Sequence, residues 1–234
     1  MCGHCGCDEP TPQAEQRQLI ALHRDLMDAN RQGAEHNREH LRRRRLTALN
    51  LVSSPGTGKT TLLEKTLRRL QGLRPALVIE GDQQTELDAA RIRATGTPAV
   101  QIQTGQACHL DAAMVHDALH RLPEAPGGLL FIENVGNLIC PSQFDLGEQA
   151  RVVLVSVTEG DDKPLKYPGI FRHADLLLIT KIDLLPHVDF DPDRCIANAR
   201  RICPELPALQ LSATAGTGLD AWLDWLRQPD REAG

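Results

Sequence analysis

From Thr47 onward the chain is punctuated by short apolar runs at 47–52, 75–80, 98–103, 128–133, 151–157, 175–180 and 207–212. Most are continuous rather than alternating, which is the pattern of parallel strands buried on both faces. Stretches of helical periodicity lie between them, at 59–70, 84–94, 111–121, 191–201 and 218–227. This order predicts an α/β domain, a mostly parallel sheet with helices on both faces and ligands gathered at the carboxyl ends of the strands. Ahead of it, 14–45 reads as helix, with Leu19, Leu22 and Leu26 on one face, Ile20 beside them and charges elsewhere. Such a helix suits an arm packed on its own domain or an interface helix, and the pattern does not separate the two. The expected organisation is a cysteine-bearing tail over 1–13, a helical arm over 14–45 and the α/β domain over 46–228.

Composition narrows the functional classes. At 234 residues and 41% hydrophobic the chain can bury a sizeable core, but with 3% aromatics that core must be Leu, Val, Ile and Ala. A net charge of -5 argues against a general binder of nucleic acid or anionic membrane. The basic run Arg42 to Arg45 reads as a solvated helix end. No apolar stretch approaches the roughly 18 residues of a membrane span, and the N-terminus lacks a signal peptide's charged and apolar regions, so a cytoplasmic location is expected. In that reducing compartment the seven cysteines are expected as thiols or metal ligands.

Strand 47–52 runs into Ser53-Ser54-Pro55-Gly56-Thr57-Gly58-Lys59-Thr60-Thr61, followed by a helix. This is a Walker A arrangement, in which backbone N–H groups of a tight loop on a helix N-terminus face phosphate oxygens. Gly56 and Gly58 let the backbone approach, Lys59 reaches the β- and γ-phosphates, and the Thr60 hydroxyl binds Mg²⁺. Ser53 stands where the motif has its first Gly. Two carboxylates at neighbouring strand ends, Asp82 and Glu133, are the candidates for holding Mg²⁺; Asp82 also suits a helix N-cap. Glu133 opens Glu133-Asn134-Val135-Gly136, similar to a D-x-x-G segment in which Gly136 offers its N–H to the γ-phosphate.

The base is read further on. Thr180-Lys181-Ile182-Asp183 stands where GTPases carry N-K-x-D, and the Asp183 carboxylate can accept from guanine N1–H and N2–H₂, a donor pair adenine lacks. Leu211-Ser212-Ala213-Thr214 follows the last strand and can offer a backbone N–H, from Ser212 or Ala213, to guanine O6. GTP is therefore the expected nucleotide.

Cys2, Cys5 and Cys7 form C-x-x-C-x-C; with His4 or the terminal amine they make an S₃N set suited to Zn²⁺ or Ni²⁺, the rival being a redox pair. Cys108-His109 and Cys140 lie past strands that flank the nucleotide site, so a metal there would sit near the γ-phosphate segment; each cysteine alone also reads as an ordinary buried residue. Cys195 and Cys203 read as structural.

Together these strings, notably CGHCGC, SSPGTGKTT, TGQACHLDA, FIENVGNLICP and TKIDLL, resemble the HypB family of GTPases that help insert nickel into [NiFe]-hydrogenase. The resemblance implies a dimerising P-loop GTPase of the SIMIBI type with a Zn²⁺ or Ni²⁺ site at the dimer interface, on Cys108, His109 and Cys140. It also implies nickel binding by Cys2, Cys5 and Cys7, and a nucleotide- or interface-contacting Lys166 in Asp161-Asp162-Lys163-Pro164-Leu165-Lys166-Tyr167-Pro168. The implied partners are a HypA-type nickel chaperone, at times a peptidyl-prolyl isomerase, and the hydrogenase large-subunit precursor. Unlike some relatives the chain has no His-rich N-terminal tract, and Ser54 replaces the extra P-loop lysine of some dimerising GTPases. No water-positioning base is visible, so slow intrinsic turnover is expected. Rival readings are a chaperone for urease or a cobalamin enzyme, a small-molecule kinase with structural zinc, and a thiol redox protein.

Overall fold

The computed structural model describes residues 12–82, 87–105 and 107–228. Seven strands form one sheet in the order β3-β2-β4-β1-β5-β6-β7, parallel at every pairing. The strands are β1 (Thr47–Ser53), β2 (Ala76–Asp82), β3 (Ala99–Gln103), β4 (Leu129–Glu133), β5 (Ala150–Ser156), β6 (Leu176–Thr180) and β7 (Ala208–Gln210). All seven apolar runs are therefore strands. The helices are α1 (Pro12–Arg43), α2 (Lys59–Leu70), α3 (Leu87–Arg93), α4 (Ala112–Leu119), α5 (Lys163–Lys166), α6 (Pro168–Arg172), α7 (Pro192–Arg200) and α8 (Leu219–Leu226). The short α5 and α6 carry too few residues to show a periodicity.

The two-residue period of a strand divides the core. Leu49, Leu51, Phe131, Val152, Leu154 and Leu178 face the layer of α2 and α8, where Trp222 donates to Thr66 Oγ1 at 2.9 Å. Ala48, Ile79, Leu130 and Ile132 face the opposite layer of α1 and α4. Val153, Val155, Leu177 and Ile179 face α6 and α7. There Cys195 is fully buried, and its thiol is pushed up to about 12 by desolvation; it is an inert core residue, as expected.

The C-terminal half of α1 is part of the domain. Asn30, Ala34, Asn37 and Leu41 are buried at helical spacing. Asn37 Nδ2 donates to Ala112 O at 2.8 Å and Leu146 O at 3.0 Å, and Asn30 accepts from Ala112 N at 2.9 Å. The stripe that the apolar pattern singled out lies earlier: Ile20, Leu22 and Leu26 are exposed, and the Leu19 side chain lies outside the described residues. The basic run at 42–45 is not uniformly solvated. Arg44 is buried and donates to the carbonyls of Leu119, Leu122 and Pro123, closing the chain after α4 onto α1. No helix among the described residues is long and apolar enough to cross a membrane.

Candidate nucleotide and metal site

β1 is the central strand, and the loop at its carboxyl end leads into α2, so the P-loop sits where the strand order reverses on either side of β1. Gly56 (φ 72) and Gly58 (φ 99) take left-handed conformations that a side chain would strain, and Gly58 caps α2. Lys59 is buried and donates to Ser53 Oγ at 2.9 Å, so the serine that departs from the motif is the partner of the P-loop lysine. A cavity of about 530 Å³ opens above the loop, lined by Pro55 to Thr61, Glu80, Asp82, Glu133, Gly136 and Lys181.

Thr60 Oγ1 donates to Glu133 Oε1 at 2.8 Å, joining the two expected Mg²⁺-binding groups. Asp82 closes β2 at the cavity wall. A further carboxylate, Glu80, stands beside Glu133 in register across β2 and β4, and both are buried. The sequence signal for it was an acid at the end of an apolar run that has no reason to carry one. Burial, and then the charge of Glu133, pushes the Glu80 carboxyl well above the usual carboxylate range. Burial also raises Glu133, against the opposing pull of Lys59 and Thr60. Glu80 Oε2 and Glu133 Oε2 lack hydrogen-bond partners. Buried, unpartnered carboxylate oxygens next to a threonine hydroxyl are the hard oxygen donors that Mg²⁺ requires, so the residues fit that ion.

The two raised carboxyls set a pH prediction. Both bind protons more tightly folded than unfolded, so their stabilising contribution is complete below the ordinary carboxylate value and is lost as pH rises through the raised values. Metal- and nucleotide-free wild type should therefore lose stability relative to Glu80→Gln as pH rises from about 5 to 8 in urea unfolding, and Mg²⁺ with nucleotide should cancel the trend. A wild-type stability that, relative to Glu80→Gln, stays flat or rises with pH would show that Glu80 is not strained in the empty site.

Gly136 packs against Pro55: a Cβ there would lie 3.0 Å from Pro55 Cγ, so the segment after β4 lies directly against the P-loop. The base motif forms a second cavity of about 140 Å³, lined by Thr180, Lys181, Asp183, Leu211, Ser212, Ala213 and Thr214 beside Thr57 and Gly58. Thr180 Oγ1 donates to Thr57 O at 2.8 Å and Lys181 Nζ to Gly56 O at 2.7 Å, so threonine in place of asparagine still ties the base motif to the P-loop. Ser212 N–H is spent on Thr217 O at 2.9 Å.

Lys166 does not reach either cavity; it pairs with Asp162 on an exposed turn. Its neighbour Lys163 donates to Ser54 Oγ at 2.7 Å and pairs with Glu159 at 2.7 Å. Glu159 in turn accepts from Thr57 Oγ1 at 2.8 Å and Ser156 N at 3.1 Å. Burial opposes its ionisation, but the bonds from Lys163, Thr57 and Ser156 hold its carboxyl below the ordinary value. Sequence reading missed Glu159 and Lys163 as P-loop supports.

The second cysteine group converges. Cys108 Sγ and Cys140 Sγ lie 2.7 Å apart as free thiols, Cys108 Sγ lies 3.8 Å from His109 Nδ1, and the three ligand atoms fall within 4.8 Å of one another. His109 stacks on Phe144, and burial lowers its pKa, favouring the neutral imidazole. Two thiols and an imidazole suit a borderline-soft divalent ion. Asn134, next to Glu133, accepts from Leu110 N at 3.3 Å, and Asn137 Nδ2 donates to Cys108 O at 3.4 Å. The Cys108 loop is therefore hydrogen-bonded to the segment that walls the phosphate cavity. Cys2, Cys5 and Cys7 lie outside the described residues.

A family model for the CobW/HypB/UreG nucleotide-binding domain matches residues 47–210. The hydrogenase maturation factor HypB of Escherichia coli K12 is 55% identical over 224 residues, covering 96% of this chain and 77% of that protein. The crystal structure of HypB from Helicobacter pylori in complex with nickel matches with a TM-score of 0.82 and 40% identity, over 87% of this chain and 96% of that one. The crystal structure of HypB from Archaeoglobus fulgidus matches at 0.80 and 43%, over 86% and 98%. The chain thus belongs to the HypB family of hydrogenase maturation factors, P-loop GTPases of the CobW/HypB/UreG class.

Proposed function

We propose that this chain is a GTP-hydrolysing nickel chaperone that delivers the ion to the [NiFe]-hydrogenase large subunit during maturation. The observation that carries the reading is the hydrogen-bonded link from Cys108, through Leu110 and Asn134, to Glu133 and the phosphate cavity. It gives metal and nucleotide a shared structural element whose arrangement both can bias. In hydrolysis Lys59 leaves Ser53, reaches the β- and γ-phosphates and offsets developing charge, while P-loop N–H groups hold the phosphate oxygens. Thr60 and Glu133, with Asp82 and Glu80 at the cavity wall, would hold Mg²⁺, which would supply positive charge to offset that of the phosphates. Gly136 presents its N–H to the γ-phosphate, and Asp183 and Ala213 read guanine. Lys166 contacts a second subunit rather than nucleotide.

The nickel or zinc ion is cargo or regulator, held by Cys108, His109 and Cys140 at a GTP-dependent homodimer interface, with Cys2, Cys5 and Cys7 as a separate tail site. Exposed Ile139 beside Cys140, and Leu165 on α5, supply apolar surface for the second copy. A HypA-type chaperone and the large-subunit precursor are the partners in the cytoplasm. Close likeness to HypB proteins favours hydrogenase over urease or a cobalamin enzyme as client.

Nickel titration into the reduced chain, with zinc as competitor and thiolate-to-nickel absorption as readout, tests the reading. Tight binding by the tail should vanish in a Cys2/Cys5/Cys7→Ala variant. Cys108→Ala/Cys140→Ala should lower the affinity of a second, GTP-sensitive uptake by about 10–100-fold or more. Nickel affinity indifferent to both variants, and the same with GTP as with GDP, would refute the delivery role.

A further inference from the structure

Away from the cysteine site, four histidines meet where α1 packs on α4. His36 and His40 lie on one face of α1, while His116 lies on α4 and His120 caps its C-terminal end, each pair at the four-residue spacing that stacks side chains. Ring centroids are 4.6 Å apart for His36–His116, 4.9 Å for His40–His120 and 4.6 Å for His116–His120, all edge to face. His40, His116 and His120 each bring a ring nitrogen to within 4.8 Å of the other two.

The hydrogen bonds fix which nitrogen of His116 is available. Asn37 Nδ2 donates to two carbonyls, Ala112 O and Leu146 O, so the amide orientation is set and its Oδ1 is an acceptor. That oxygen lies 3.1 Å from His116 Nδ1, which therefore carries the proton and leaves the Nε2 lone pair pointing into the cluster. A ring N–H held by an amide or carbonyl oxygen is how metal-ligating histidines are oriented. His116 Nε2 lies 3.1 Å from His120 Nε2. Two nitrogens bound to one Zn²⁺ at about 2.0–2.1 Å, with angles of about 90–110°, stand about 2.9–3.4 Å apart, and the observed separation falls inside that range. Burial, and then the neighbouring charges of the cluster, hold His40 and His116 below the ordinary imidazole value.

We propose that His40, His116 and His120 form a separate site for a borderline divalent ion, Zn²⁺ or Ni²⁺, that clips α1 to α4. The site shares no residue with Cys108, His109 and Cys140. It lies between the helix that leads back to the cysteine tail and the helix that directly follows the Cys108 loop. An ion there fixes the arm to the domain and strengthens its docking, in addition to the Asn30 and Asn37 bonds.

The test uses the full chain with Cys2, Cys5, Cys7, Cys108 and Cys140 all changed to Ser, so that thiol sites cannot report. Equilibrium dialysis should find about one equivalent of Zn²⁺ or Ni²⁺ per chain, and binding should raise the melting temperature by several degrees. Adding His40→Gln and His120→Gln should weaken binding more than tenfold and remove the shift. Co²⁺ absorption should lack thiolate charge-transfer bands. If the serine chain does not fold, the comparison of wild type with His40→Gln/His120→Gln decides, the variant binding about one equivalent fewer. Equal stoichiometry and equal thermal shifts for the two ions with and without His40 and His120 would overturn the proposal, leaving nickel delivery through the cysteines untouched.

Discussion

Lys59→Ala should lower GTP turnover by about 10²–10³-fold while leaving the nucleotide-free chain folded. The lysine sits at the start of α2 with its ammonium on Ser53 Oγ, inside the cavity that the P-loop and the ends of β2 and β4 enclose. No other side chain described there replaces it: Lys181 Nζ is committed to Gly56 O and Lys163 to Ser54 and Glu159, and Arg91 is tied to Glu64 and Asp88. Charge developing on the γ-phosphate would then be met by backbone N–H groups and the metal alone. The fold should survive because the lost cation was balancing Glu133, whose carboxyl already lies above its usual range and can take up a proton instead. Phosphate release under single-turnover conditions, with circular dichroism as the folding control, gives the answer. Turnover within tenfold of wild type would remove Lys59 from the chemistry.

What the sequence made legible follows from which signals are local. The strands were readable because apolar runs buried on both faces carry no competing pattern, and the P-loop and base motif were readable because their spacing is dictated by one ligand. The docking of α1 was not, because its buried stripe uses Asn30, Asn37 and Arg44, polar residues whose role depends on carbonyls of Ala112, Leu146, Asp145 and Leu119 far along the chain. The exposed leucines of its first half gave the stronger periodic signal. Glu80 was hidden for a related reason: its environment is set by the register of β2 on β4, which places Glu133 beside it. Lys163 and Lys166 are equivalent as letters, and only the turn of α5 decides that the first faces Ser54 and the second faces solvent. The cysteine group was legible as a set of ligand types, but its link through Asn134 to the phosphate segment belongs to tertiary structure. In the proposed function that link is the element through which occupancy of one site would alter the other.

Asp183→Asn should move nucleotide preference rather than destroy binding. The wild-type carboxylate stands at the rim of the base cavity, opposite the Ser212–Thr214 turn, where it can accept from both guanine N1–H and N2–H₂. An amide keeps the shape but offers one acceptor and one donor, so its NH₂ meets the guanine amino group donor to donor. Losing one arm of a charge-assisted pair and leaving an unmatched donor costs about 2–5 kcal/mol, so GTP affinity should fall by about 30- to 4,000-fold. Xanthine carries a carbonyl where guanine carries N2–H₂, and the introduced amide can donate to it. XTP should therefore bind the variant better than GTP does, with the order reversed in wild type. ATP should bind both poorly, because neither form of the side chain matches its edge. Since Asp183 is exposed on the turn Ile182–His187 and its backbone is shaped by Lys181 at φ 59, the change should leave the P-loop and its link to Thr180 in place. Competition binding of the three nucleotides decides it. Unchanged GTP affinity in the variant would mean that this cavity does not read the base, whereas a fall in GTP binding with rescue by XTP would assign guanine recognition to the one carboxylate.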